Sequence, residues 1–346
     1  MFEKDLIAID INKETISILV GTRYKISNGT TIETPRNSFD NGRILDVNII
    51  SGAIAPHIKK AKTKDVAFVV RGEDIITRHL NIPFAKDEAM RDSVDFELRQ
   101  FMGDRVDEYY FDYQIINQNK NDGTGKCDVL VVACSKDKID AFMELGKTLR
   151  LNVKAIDLYA NVVARVFGDL RKSTTKGIKT IGVIGIDSDD SNITIMEWGK
   201  LILEKYKDSG ILSTVDKDFT NLTEYNSILD TVDLIEPKQP GEESDIELYF
   251  KDEANDYNTL IQYYTSGKVK KNLDRIYVMG SATRIKGIEQ YFEVNLSSRA
   301  AKLPMFSDLK TSVKTPKKIK LKDYIMCYGL LLSLIHISEP TRHSLI

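Results

Sequence analysis

Apolar and polar residues alternate with a period of two on either side of a polar tip in Leu6 to Gly21, LIAIDINKETISILVG. Ile7 and Ile9 alternate with Ala8 and Asp10 before the tip, and Ile16, Ile18 and Val20 with Ser17 and Leu19 after it. The spacing predicts a strand, a tight turn and a second strand. A second copy lies downstream at Thr180 to Trp198, TIGVIGIDSDDSNITIMEW. With Asp187 set under Asp10, Ile193, Thr194 and Ile195 fall under Ile16, Ser17 and Ile18. A repeat of this kind suggests two similar lobes facing a shared cleft, although two ordinary hairpins would give the same pattern. A third segment, Leu273 to Phe292, reads as an apolar strand, a Gly-Ser-Ala turn and a helix start.

Between the hairpins, Arg23 to Phe39 is polar, with a turn marked by Asn28-Gly29. Val47, Ile50, Ile54, Ile58 and Ala61 have helical spacing, interrupted by Pro56. Val66 to Val70 and Ile75 to Ile82 predict strands. Lys86 to Met102 predicts a helix with Met90, Val94, Leu98 and Phe101 on one face. Strands are expected at Asp107 to Ile116 and Cys127 to Ser135, around an exposed loop at Asn117 to Lys126. A helix through Ile139, Phe142 and Leu149, a strand at Val153 to Ile156 and a helix at Leu158 to Leu170 complete this half.

Beyond the second hairpin, Leu201 to Asp256 has the weakest pattern, and Ile235 to Asp245 looks like a surface loop. Tyr257 to Val269 predicts a helix, with Tyr263 and Tyr264 as core or cleft wall and Lys268, Lys270 and Lys271 as a solvated face. Lys314 to Lys322 reads as an exposed basic linker and Tyr324 to Leu334 as the last helix. Ile335 to Ile346 breaks the pattern and resembles translated sequencing-adaptor read-through, so it is set aside.

Composition narrows the classes. The chain has 346 residues, enough for about two domains. A net charge of -2 gives no footprint for nucleic acid or for a basic membrane-binding face. Cys127, Cys134 and Cys327 have no metal-ligand spacing; two of them sit in apolar runs and read as buried thiols, which fits a reducing cytoplasm. His57, His79, His336 and His343 form no cluster, which argues against zinc. No signal peptide is expected, since Met1 to Leu6 lead straight into a strand. The longest nearly apolar run, Ile325 to Ile335, is 11 residues, too short to span a bilayer. No direct membrane insertion is therefore expected, and any membrane association comes through a partner.

The tips carry the candidate chemistry. Asp10 ends the first strand, where a carboxylate can hold hydrated Mg²⁺, and the N–H groups of a tight turn can face a phosphate. Lys13 and Thr15 add a charge and a hydroxyl beside Asn12. Asp187 and Ser188 are the second-tip candidates. Gly280 allows close approach of a flat ligand, and small Ser281 and Ala282 keep that space open. In this order and spacing the three segments resemble the phosphate-1, phosphate-2 and adenosine motifs of the actin-like ATPase superfamily, which includes Hsp70, sugar kinases and FtsA. The resemblance implies ATP, with Mg²⁺ held by Asp10 and Asp187.

The intervening segments resemble one family more closely. They are GRILDV at Gly42 to Val47, ITRHLNIP at Ile76 to Pro83, DEAMRDSVDFELRQFM at Asp87 to Met102 and YFDYQII at Tyr110 to Ile116. VLVVACSKDKID at Val129 to Asp140, VKAIDLYANVVARVF at Val153 to Phe167 and YIMCYGLLLS at Tyr324 to Ser333 follow in the same order. Together they look like the type IV pilus assembly protein PilM family, over most of Leu6 to Leu334. The resemblance implies an α/β, actin-like (ribonuclease H-like) two-lobed fold of subdomains 1A, 1C, 2A and 2B. The expected ranges are 1–30 and 152–179 with a return at 311–334 for 1A, 31–151 for inserted 1C, 180–204 and 257–310 for 2A, and 205–256 for 2B.

It also implies a cytoplasmic protein at the inner face of the cell membrane. There it grips the N-terminal cytoplasmic tail of PilN, a single-span membrane protein, through a groove between 1A and 1C, and pilus motor components are further partners. An extended tail can add hydrogen bonds along a groove while its side chains fill pockets. Three departures bear on nucleotide chemistry. Asn12 and Lys13 replace the family's Gly and small residue, and Gly-Ser-Ala replaces a mostly Gly-Gly-Gly turn. The family spacing puts Gly185 where the second acid belongs, whereas the in-step alignment makes Asp187 that acid. These departures predict a scaffold with ATP as structural or regulatory ligand, and at most a slow ATPase. The alternatives are a turnover ATPase or kinase, with Asp187 as the one candidate base, and an FtsA-like, membrane-tethered filament protein.

Overall fold

The computed structural model describes residues 4–85, 87–118, 125–214, 221–236, 243–267 and 272–333. The chain opens with β1 (Leu6–Ile11), β2 (Thr15–Thr22) and β3 (Lys25–Glu33), followed by a two-residue ribbon, β4 (Phe39–Asp40) and β5 (Arg43–Ile44). Helix α1 (Val47–Ile58) starts on an Asp46 cap, whose carboxylate accepts the N–H groups of Asn48 and Ile49. Next come β6 (Asp65–Val70), β7 (Ile76–Pro83), α2 (Asp87–Met102), β8 (Tyr109–Gln118), β9 (Lys126–Ser135), α3 (Lys136–Thr148), β10 (Asn152–Leu158) and α4 (Tyr159–Gly168).

The first sheet has the order β10-β6-β1-β2-β3. β1 lies inside it, parallel to β6 and antiparallel to β2, and all six of its residues are buried. A strand covered on both faces reads as nearly continuous apolar sequence, and LIAIDI does, apart from Asp10. On one face Ile7 and Ile9 pack with Ile50 and Ile54 of α1 and Phe142 and Leu145 of α3. On the other, Leu6 and Ala8 pack with Val162, Val163 and Val166 of α4. Each such fully buried side chain contributes roughly 1.5–3 kcal/mol.

The second half supplies β11 (Thr180–Ile186), β12 (Ser191–Glu197), β13 (Lys200–Lys207), α5 (Leu222–Leu229), α6 (Asp245–Thr265), β14 (Arg275–Met279), α7 (Ile288–Asn295) and α8 (Ile325–Ser333). Its sheet has the order β13-β12-β11-β14. One face, with Ile184, Ile193 and Ile195, packs with Phe250 and Tyr257 of α6 and Phe292 of α7. The opposite face, with Val183, Met196 and Tyr277, joins the core around α4 and α8. Phe167 of α4 meets Tyr277 of β14 at 4.9 Å between ring centroids. The core around α4 and α8 is therefore common to both sheets and sets the tips of the two hairpins opposite each other. A smaller sheet, β7-β9-β8, carries α2 on one face through Met90, Val94 and Leu98.

Several sequence expectations change. β3 runs straight through Asn28-Gly29, where a turn was expected. Gly29 has no side chain because Ile319, Leu19 and Tyr324 lie 3.0–3.2 Å from where a Cβ would stand. Helix α6 begins at Asp245, 12 residues before the expected Tyr257, on a capping box in which Ser244 and Glu247 bond each other's backbone N–H. Strand β13 was not anticipated. Phe101 lies exposed against Arg78 instead of joining the apolar face of α2. The basic stretch at Lys314 to Lys322 is a strap: Ile319 and Leu321 are buried, and its lysines face outward. Tyr264 is buried and Tyr263 exposed. All three cysteines are buried free thiols. Most of the loop expected at Asn117 to Lys126, together with Lys268, Lys270, Lys271 and the tail from Ile335, lies outside the described residues.

Candidate functional site

The first tip is built by Asn12. Its side-chain oxygen accepts the N–H of Glu14 (3.1 Å), the N–H of Thr15 (2.6 Å) and the Thr15 hydroxyl (3.2 Å). This is an Asx turn, and it engages the polar groups that the sequence offered to a phosphate. Lys13 turns outward and pairs with Asp40 at 2.7 Å. Glu14, which the sequence did not single out, points across to the opposite tip.

The second tip repeats the first in register. Ile186 faces Ser191 as Ile11 faces Ile16. The Asp187 N–H donates to the Asp190 carbonyl at 2.9 Å, as the Asn12 N–H donates to the Thr15 carbonyl at 3.0 Å. The counterpart of Asp10 is therefore Gly185, and the counterpart of Asp187 is Asn12. The in-step alignment was two residues out. A two-residue slip keeps every side chain on its own face of the sheet, so the apolar pattern does not detect it. No acid fits at Gly185: a Cβ there would run into the Tyr159 hydroxyl and stand 2.7 Å from Asn192 Nδ2.

Asp187 instead ties the second tip to the third segment, accepting the Ser281 N–H at 2.7 Å. Gly280 makes that approach possible. Its φ is +87°, and a Cβ would run into the Ile186 carbonyl and stand 2.8 Å from Asp187 Oδ1. The Ser281 hydroxyl bonds the Tyr225 hydroxyl at 2.8 Å, while Ala282 faces the core of the second lobe. Ser188 is fully buried, and its N–H donates to Glu14 Oε1 at 2.6 Å, joining the two tips.

The organising residue is Arg71, which follows directly on β6. Its side chain is 2% exposed, pairs with Asp10, stands 3.8 Å from Asp190 Oδ2 and stacks on Tyr159 at 4.9 Å. Burial works against its charge, but Asp10 and Asp190 outweigh that and hold the guanidinium protonated well above its ordinary range. A signal existed: a lone cation capping the buried run VAFVV, at the carboxyl end of a strand parallel to β1, where open α/β sheets gather ligands.

The carboxylates around it are strained electrostatically. Burial first, then repulsion from Asp187 and Asp189, pushes the Glu14 carboxyl well up. Burial, with repulsion from Asp187 and Asp40, raises Asp189 to about 6, and burial, with repulsion from Asp187 and Asp189, raises Asp190 to about 8, although the Tyr206 hydroxyl donates to Asp190 at 2.8 Å. Burial also raises Asp187.

Asp10, Asn12, Thr15, Asp187, Gly280 and Ser281 line one open cleft of about 350 Å³, while Lys13, Ser188 and Ala282 do not. Met279, Leu303 and Tyr324 also line it, and its volume is in the range of a small-ligand site. Its tip end is engaged by the chain itself. Asp10 faces Arg71 and Asp187 faces the Ser281 N–H, so the pair does not fit a shared Mg²⁺. Among the described residues no group of three or more His, Cys, Asp or Glu side chains is placed to hold a metal. The N–H groups of Ser188 and Ser281, the kind of donor that faces an anion, already serve carboxylates.

A family model described as type IV pilus assembly protein PilM matches residues 8–334. Among solved structures, the PilM-PilN type IV pilus biogenesis complex contains a chain similar to this one with a TM-score of 0.76 and 13% identity, covering 96% of this chain and 99% of that one. MreB5 of Spiroplasma citri bound to AMPPNP is similar with a TM-score of 0.50 and 10% identity, covering 95% and 96%. No curated protein sequence matches. The fold is the actin-like ATPase α/β fold.

Proposed function

The chain belongs to the type IV pilus assembly protein PilM family, and on that premise we propose that it is a scaffold of the inner-membrane pilus platform that binds the N-terminal cytoplasmic tail of a PilN-like single-span protein. The observation that favours a scaffold over a turnover enzyme is the self-engaged tip of the cleft. Asp10 is neutralised by Arg71, the second acid position is Gly185, and Asp187 is bound to Ser281. Neither Asp10 nor Asp187 is thereby left free to orient an attacking water.

One similar chain of known structure was solved in a PilM-PilN complex, which supports a PilN-like partner. Among the described residues no helix is long and apolar enough to cross a membrane, which suits a protein held at the membrane's inner face by its partner. We take the five-stranded sheet as subdomain 1A, the β7-β9-β8 sheet with α2 as 1C, the four-stranded sheet as 2A, and α5 with the first part of α6 as 2B. This narrows 1C from the expected 31–151, because β6 pairs within the five-stranded sheet. The tail would lie on the 1A–1C side, and pilus motor components are further partners.

ATP enters this reading as a regulatory ligand. The cleft has the volume of a small-ligand site, with Met279 and Gly280 in its lining, and the similar MreB5 was solved with AMPPNP. Its phosphates would have to displace Glu14 from Ser188 or Arg71 from Asp10, which keeps affinity low. The test is fluorescence anisotropy of the full chain with a labelled tail peptide. Micromolar binding is expected, because an extended tail loses conformational entropy on docking. ATP should not displace the tail. Absence of binding, or simple competition with ATP, overturns the proposal.

A further inference from the structure

Behind the cleft lies a second, partly open cavity of about 370 Å³, lined by the end of β6, the start of β7, the start of α4 and β13. It therefore lies where three sheets meet. Contacts across that junction hold it together: Glu73 Oε1 accepts the Asp208 N–H at 3.1 Å, and His79 Nε2 meets the Ile202 carbonyl at 3.2 Å. Arg71 and Tyr159 line this cavity as well as the cleft, so they form the partition between the two.

Glu204 of β13 lines this cavity. Its side chain makes no hydrogen bond or ion pair among the described residues. The buried cation closest to it in effect, Arg71, is engaged on the cleft side by Asp10 and Asp190. Burial lifts the Glu204 carboxyl to about 7, against a lowering pull from Arg71. A half-buried carboxylate whose nearest buried cation is engaged by two other acids is stabilised by a further cation. The rest of the lining decides which cation. Glu73 is the other acid in the lining and serves the Asp208 N–H, and among the described residues no group of three or more His, Cys, Asp or Glu side chains is placed to hold a metal, so a side-chain cation fits here and a metal ion does not.

We propose that this cavity receives a lysine or arginine side chain from a partner segment, with the ammonium or guanidinium pairing with Glu204. The proposal rests on the reading of the protein as a peptide-binding scaffold and names the chemistry that such a peptide must carry. Because Arg71 and Tyr159 belong to both walls, a side chain seated here biases the cleft, and a ligand in the cleft biases this pocket in return.

The test uses the full chain with Ile, Leu and Val methyl groups labelled for NMR. The probes are Nα-acetyl-arginine amide, Nα-acetyl-lysine amide and the neutral Nα-acetyl-norleucine amide. The two cationic probes should shift the methyls of Val70, Ile75 and Leu158 saturably, and the neutral one should not. Glu204→Gln should weaken the cationic probes about tenfold or more, the scale of a charge-assisted hydrogen bond. It should fold normally, since no partner is lost. Equal shifts from the neutral probe, no shifts at all, or unchanged binding in Glu204→Gln overturn the proposal. If the cationic probes bind through Glu204 while the platform tail binds nowhere, the pocket stands and the PilN-like partner falls. If the tail binds with equal affinity to wild type and Glu204→Gln, the pocket is not part of the tail's groove.

Discussion

Removing the Arg71 guanidinium is the severest single change that the account foresees. Arg71→Met keeps the length of the stem and deletes the charge. The Arg71 side chain is 2% exposed and that of Asp10 11%, so water is poorly placed to take over the lost partner. Breaking a buried pair on one side costs about 3–5 kcal/mol, because a buried charge is left uncompensated. Asp190, 3.8 Å away, adds to the loss, while its tendency to hold a proton limits that share. Against a typical total stability of about 5–15 kcal/mol this is a large fraction. The assay is urea unfolding followed by circular dichroism. Adding Asp10→Asn to Arg71→Met should recover part of the loss, a coupling of about 1–3 kcal/mol between residues in contact. A cost under about 1 kcal/mol for Arg71→Met, or strict additivity of the two changes, would refute the buried, paired tip.

Stability should fall as pH rises from about 4 to 8. Burial and neighbouring carboxylates hold Asp189 at about 6 and Asp190 at about 8, above the unfolded value of 3.8. In that window the folded chain keeps protons that the unfolded chain has released, so each pH unit upward favours unfolding. Asp190→Asn should flatten the upper part of the fall, and a thermal midpoint that rises toward pH 8 contradicts the assignment. Glu14→Ala should expose the Ser188 N–H, now bonded at 2.6 Å, to hydrogen exchange. Mass spectrometry of a peptide spanning the second tip reads this, with unchanged protection as the adverse result. The same variant should bind ATP several-fold more tightly than the wild type if Glu14 occupies a phosphate's place.

How far the sequence could be read follows from what sequence patterns encode. The two hairpins, α1 to α4 and the central strands were legible because their apolar periodicity is strict and both faces of β1 are covered. β3 was not, since an edge strand with exposed positions carries little apolar signal, and Asn28-Gly29 imitates a turn. The start of α6 was masked by acidic and Pro-rich neighbours, although Ser244 and Glu247 spell a capping box. At the site, Asp10, Gly280 and Ser281 were found because a strand end and a glycine turn are local features. Gly185 as the counterpart of Asp10 was offered by family spacing but not selected, because a slip of two residues preserves the face pattern. Arg71 and Glu14 were missed because their meaning lies in partners 61 and 174 residues away.

On the proposed reading, the chain's own charges hold the tip of the cleft, and the protein turns over nucleotide slowly if at all. Phosphate release by the purified full chain at saturating ATP and Mg²⁺, with and without the platform tail, tests this most directly. A rate well below about 1 s⁻¹ is expected in both cases, under the range of working enzymes. A rate above that, abolished by Asp187→Ala, would show that the tip opens into a catalytic site and would contradict the claim.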